Sequence, residues 1–278
     1  MSKFKTRKEL RNLVINSFSK EAEIFSIFFF GKEVDKKSDE YSDIDMIVCS
    51  NDLAKTQSKY LQIFNNISPI IGSYLLDSTE NNLSQMVMLE DFSPYQKIDL
   101  SLTDDIETKI SAGFGPFISV YKDNSPSTKI NSKLKVIEEN NVKNQLDDFL
   151  FSVPRFTKCL FRKDYDMYRR WKGISDIAMV LLYEKYFDWE EKSIRKKISA
   201  KEASELYKKM NDDENELLNK IFPLSGNLNI AESYKIYIEL LVTLCKQKAD
   251  YFKVELSEDF IQYIERFLNS EMKRYAEN

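Results

Sequence analysis

Apolar residues recur along this chain in two rhythms. From Ile24 to Phe30 and from Ile44 to Val48 they form short, nearly unbroken runs. Such runs, bounded by polar and glycine-containing stretches, predict buried strands. The polar stretch KEVDKKSDEY after Gly31 predicts a loop between the two. Ahead of them, Leu10, Leu13, Val14 and Phe18 fall at helical spacing, with Thr6 and Glu9 placed as a capping box. A second helix is predicted from Asn51 or Asp52 to about Phe64. Further strands are predicted over Ile70–Leu76, Gln85–Leu89 and Gln96–Leu102, and a short one over Phe117–Tyr121.

After Leu134 the rhythm is helical to the end. Val142, Leu146, Phe149, Leu150 and Val153 open one helix, in which Pro154 predicts a kink or an end. Others are predicted from about Asp164 to Phe187, from Lys201 to Met210, from Ala231 to Phe252 and from Ser257, as a cap, to about Tyr275. The glycine-, proline- and serine-rich stretch from Ser111 to Lys133 separates the two regimes. The expected architecture is therefore α+β: a mixed-sheet domain over residues 1–133, then an all-α bundle of about five helices over residues 134–278.

Side chains alternate along a strand, so Asp43 and Asp45 share a face while Ile44 takes the other. Two carboxylates on one face, beside a strand that ends in glycine, attract a divalent cation, and Mg²⁺ is commonly held by one or two carboxylates with substrate phosphates. On the later strand Ile98, Leu100 and Leu102 share one face, and Lys97, Asp99 and Ser101 the other.

Apolar strand, Gly31-Lys32, spacer, then Ser42-Asp43-Ile44-Asp45-Met46-Ile47-Val48 resembles the signature of the nucleotidyltransferase superfamily of DNA polymerase beta. Over nearly its whole length the chain is similar to the antibiotic nucleotidyltransferases of the lincosamide and aminoglycoside type. The second-domain stretch TKCLFRKDYDMYRRWKGISDIAMVLL carries the looser part of that similarity. The resemblance implies that Asp43 and Asp45 hold Mg²⁺ and that Gly31, Lys32 and Ser42 approach the nucleotide. It gives Asp99 the place of the third carboxylate, as metal ligand or as the base that deprotonates the acceptor, with Glu90, Asp91 and Asp104 as the competing candidates. At Lys32 the family has serine. Lysine there either holds phosphate as a point charge or marks a site without turnover.

Composition narrows the chemistry. The chain contains no histidine, so histidine bases, Ser-His triads and His-ligated zinc are excluded. Any proton transfer falls to Asp, Glu, Lys, Tyr or Cys. A net charge of −4 argues against nucleic acid as the partner. Three scattered cysteines show neither metal spacing nor a disulfide framework, which points to a reducing compartment. Without a signal-type N-terminus or a membrane-length apolar stretch, a cytoplasmic monomer or homodimer is expected.

Arg155, Lys158 and Arg162 lie three and four residues apart and share a helix face. They read either as a solvated face or as a basic wall that grips a triphosphate. Together these features predict Mg²⁺-dependent transfer of a nucleoside monophosphate, from ATP in the first instance, to a hydroxyl of a small molecule such as an aminoglycoside or lincosamide. Two alternatives stand beside it: modification of a protein, and a member of the same fold that binds nucleotide or a protein partner without turnover.

Overall fold

The computed structural model describes residues 4–34, 37–111, 115–123, 132–137, 141–162, 166–191, 197–221 and 230–277. The chain forms two compact units, Met1–Glu139 and Asn140–Asn278. The first is a mixed sheet with helices and the second is helical, so the class is α+β.

The first unit opens with α1 (Arg7–Phe18), where Thr6 and Glu9 close the expected capping box. Its buried stripe is Leu10, Val14 and Phe18, while Leu13 is exposed. The i, i+3, i+4 spacing admits Leu13, but the helix turns it to the edge of its narrow apolar stripe. β1 (Ile24–Phe29) leads through a 3-10 turn (Gly31–Glu33) and the polar loop to β2 (Ile44–Ser50). α2 (Leu53–Ile67) is followed by β3 (Ile70–Ser78), β4 (Asn82–Leu89), a 3-10 turn (Pro94–Gln96), β5 (Ile98–Thr103), α3 (Ile106–Ser111) and β6 (Ile118–Lys122).

The strands form one sheet in the order β3-β4-β5-β2-β1-β6. β2 and β5 run parallel at its centre, and the other neighbours are antiparallel. Ile44, Met46 and Val48 of β2 and Ile98, Leu100 and Leu102 of β5 join the apolar stripes of α1 and α2 in one core. Phe18 of α1 and Phe64 of α2 meet edge to face, with ring centroids 5.1 Å apart. With one face of the central strands committed to this core, a slip of one residue would bury the aspartates instead. The opposite face is thereby left to Asp45, Asp99 and Ser101.

The segment 132–137 also packs on the first unit: Leu134 is buried in its core and donates its amide to the Glu80 carbonyl at 2.8 Å. The second unit comprises, among the described residues, α4 (Asn141–Arg162), α5 (Asp166–Phe187), α6 (Ala200–Lys209), α7 (Asp212–Ile221), α8 (Ile230–Phe252) and α9 (Glu258–Ala276). α4 continues through Pro154 as one helix. α7 lies where no helix was expected, because its sequence DDENELLNKI offers too few apolar positions to show a period. In the core Lys248 and Glu184 are both fully buried and paired at 2.9 Å, and Lys248 also donates to Gln145 at 3.0 Å. Among the described residues no helix is long and apolar enough to cross a membrane. All three cysteines are buried and none forms a disulfide.

Candidate functional site

The register of the central parallel pair brings the predicted carboxylates together. Asp45 of β2 lies directly opposite Asp99 of β5, and the next row on the same face is Ile47 opposite Ser101. Asp43 precedes β2 by one residue and shares the face of Asp45; the intervening Ile44 is fully buried in the core and donates its amide to the Lys97 carbonyl at 2.9 Å. All three aspartates are half-buried.

Gly31 closes the site from the β1 side. Its φ of +65° is one that L side chains rarely adopt, and a Cβ on it would stand 2.4 Å from Oδ2 of Asp45. Glycine is thus required twice, for the backbone turn and for the space that the carboxylate fills. The amide of Phe30 donates to the Asp45 carbonyl at 3.2 Å, which fixes the turn to β2. Lys32, next in the turn, is exposed.

Ser42 is buried and holds its own loop together. Its hydroxyl donates to Asp39 Oδ1 at 2.7 Å and accepts the Asp39 amide at 3.0 Å. Tyr41 packs edge to face on Tyr95, 5.0 Å between centroids, so the loop before β2 rests on the turn before β5. Ser42 therefore shapes the loop that leads into Asp43.

The electrostatics concentrate on Asp99. Burial pushes its carboxyl up to about 6; Lys97 opposes this, the charge of Asp43 adds to it, and Lys109 opposes it again. Two buried lysines therefore act on the carboxylate. Lys109, on α3, donates to the Ser101 hydroxyl at 3.1 Å, and burial lowers its own affinity for a proton. The Ser101 hydroxyl also meets that of Ser84 at 3.0 Å. Lys97 was legible on the polar face of β5 without a role. Lys109 and α3 had no signal in the sequence, since six residues are too few to show a helical period.

As donors, the aspartates suit a hard cation, which prefers carboxylate oxygen. Among the described residues no group of three or more Cys, Asp or Glu side chains is arranged to hold a metal ion. A cation at Asp43 and Asp45 would thus rely on oxygens brought by its substrate, the usual situation for Mg²⁺ on a nucleotide.

The basic residues of α4 do not form one solvated row. Arg155 is exposed, Arg162 is half-buried and Lys158 is buried. Thr157, Cys159 and Leu160 are buried beside it, because α4 packs against α5, α8 and α9 and little of its last turns is left to solvent. The side chains of Arg169, Arg170 and Lys172 lie outside the described residues.

No family model matches the chain, and no curated protein matches it in sequence. Among solved structures it aligns with an aminoglycoside 6-adenyltransferase from Bacillus subtilis at 13% identity, over 96% of this chain and 98% of that one, with a TM-score of 0.33.

Proposed function

We propose that the chain is a nucleotidyltransferase that moves a nucleoside monophosphate from a nucleoside triphosphate, ATP in the first instance, to a hydroxyl of a small molecule. One observation carries the reading: Asp45 and Asp99 are register partners on adjacent parallel strands, with Asp43 on the same face and Gly31 shaped around Asp45. The sequence resemblance assigns these positions, and the register sets Asp45 directly opposite Asp99.

In this reading Asp43 and Asp45 would hold Mg²⁺. When bound, the ion would neutralise charge on the triphosphate oxygens. Asp99 accepts the proton of the acceptor hydroxyl. A carboxyl that titrates near 6 is ionised at neutral pH yet is a stronger base than an ordinary aspartate, as a general base requires. The acceptor oxygen bonds to the α-phosphorus, the bond from that phosphorus to the β-phosphate oxygen breaks, and pyrophosphate departs with the electron pair. Lys97 and Lys109 stabilise the ionised form of Asp99. Arg155, Lys158 and Arg162 are proposed as phosphate contacts on their spacing and charge alone.

The test is a screen of labelled ATP, GTP, CTP and UTP against hydroxyl-bearing antibiotics, aminoglycosides and lincosamides first, scored by pyrophosphate release. Release with at least one pair, lost in Asp43→Asn with the fold intact, is the expected result. Nucleotide affinity unchanged in Asp43→Asn, by calorimetry with Mg²⁺ present, overturns the assignment. Binding without turnover is the second reading, and the exposed Lys32 in place of the family serine favours it. It predicts that Lys32→Ser converts an inert protein into an active one.

A further inference from the structure

Arg7 has no part in the reaction above, yet its guanidinium meets both ends of the loop that carries Asp43. It belongs to the first turn of α1, and only 13% of its side chain is exposed. Nε donates to the Ser42 carbonyl at 2.9 Å and Nη2 to the Asp43 carbonyl at 2.8 Å. Nη1 is ion-paired with Glu33, in the 3-10 turn that Gly31 opens. Arg11, one helical turn on, places Nε 3.6 Å from the other oxygen of Glu33 and stacks on the Phe29 ring, 5.1 Å from its centroid.

A guanidinium presents its donors in one plane at fixed angles. Bonds from one such fork to two successive carbonyls and to a carboxylate across the loop define a single arrangement of the three. The restraint matters because Asp43 lies outside the β2 ladder, which begins at Ile44. Its peptide carbonyl is held instead by Arg7, from a helix that is itself locked to the core through Leu10, Val14 and Phe18.

We propose that Arg7 is a positioning residue for Asp43, clamping the two ends of the β1–β2 loop so that the carboxylate is preset to receive a cation-bound nucleotide. The cation part of this inference rests on the nucleotidyl-transfer reading; the clamp does not. Lysine cannot replace the residue, since one ammonium cannot reproduce a planar fork toward three oxygens.

The experiment uses the full chain as wild type, Arg7→Lys, Arg7→Ala and Asp43→Asn. Two measurements are made: hydrogen exchange over the segment 39–44, and binding of MnATP by electron paramagnetic resonance. The proposal expects faster exchange over 39–44 in both Arg7 variants while the core strands stay protected. It also expects MnATP affinity to fall by roughly tenfold or more, the size of one lost charge-assisted contact. Millimolar guanidinium should restore binding to Arg7→Ala and leave Asp43→Asn unchanged, which a merely structural role would not do. Unchanged exchange over 39–44 overturns the proposal whatever the nucleotide does. Faster exchange with wild-type MnATP affinity also overturns it, since Asp43 would then need no presetting. If wild type binds no MnATP, the nucleotidyl-transfer reading falls, and the clamp on Asp43 is decided by exchange alone.

Discussion

Replacing Gly31 with alanine separates backbone strain from site geometry. Two effects follow from the structure. At φ +65° a non-glycine residue is strained, at a cost of about 1–2 kcal/mol. The added Cβ would also stand 2.4 Å from Oδ2 of Asp45. That atom is the end of a side chain, so the contact is relieved by turning the carboxylate rather than by moving the sheet. The strain therefore appears in stability and the contact appears in Asp45. Urea unfolding should show a loss of about 1–2 kcal/mol, and the thermal midpoint should fall by roughly 3–8 °C. MgATP affinity, by calorimetry, should drop about 10–150-fold, the equivalent of a charge-assisted contact of about 1.5–3 kcal/mol. Gly31→Asn tells the two apart. Asparagine enters the left-handed region more readily, so stability should partly return, while its Cβ still displaces Asp45 and affinity stays low. A Gly31→Ala protein as stable as wild type refutes the strain argument. Wild-type affinity in that variant, where Asp45→Asn abolishes binding, refutes the contact argument.

Asp99 makes stability depend on pH. Its folded-state value of about 6 lies above its ordinary 3.8, so the folded state binds more protons between these values and stability falls as pH rises through that window. With chelator present, the loss between pH 4 and pH 6.5 should approach 2–3 kcal/mol, from about 1.4 kcal/mol per pH unit. Asp99→Asn should flatten the curve there and be the more stable protein at pH 8; a curve parallel to wild type would remove Asp99 as its cause. In the second unit, Glu184→Gln leaves the Lys248 ammonium buried without its charge partner and should cost about 3–5 kcal/mol. The double variant Glu184→Leu with Lys248→Met should regain most of that in denaturant unfolding, and an equal loss in both would refute the charge argument. Of the α4 cations, Arg155 and Arg162 are the informative alanine variants, because truncating the buried Lys158 also disturbs packing. At least one should weaken MgATP binding by roughly tenfold while the unliganded melting temperature barely moves, and two unchanged affinities would assign them to a solvated face.

Much of the scaffold was legible because it is written in local periods. The runs at Ile24–Phe30 and Ile44–Val48, the alternation from Lys97 to Leu102, the cap and stripe of α1 and the Ser257 cap of α9 each state their element within a dozen or two residues. Alternation alone put Asp43 and Asp45 on one face and Asp99 on the polar side of its strand, because the apolar residues between them had to reach the core. What the periods cannot encode is which strands become neighbours. Asp45 faces Asp99 only because β5 pairs in parallel with β2, across a connection that contains α2, β3 and β4. The arginine clamp joins residues 35 and 36 positions apart. Lys109 reaches β5 from a helix too short to leave a pattern, and Lys158 is buried because other helices close around α4, not because of its own sequence. The sequence by itself determined most of the elements, α3 and α7 apart, and the face on which each acid stands. The tertiary structure decided what surrounds those acids, since burial and field depend on neighbours far away along the chain.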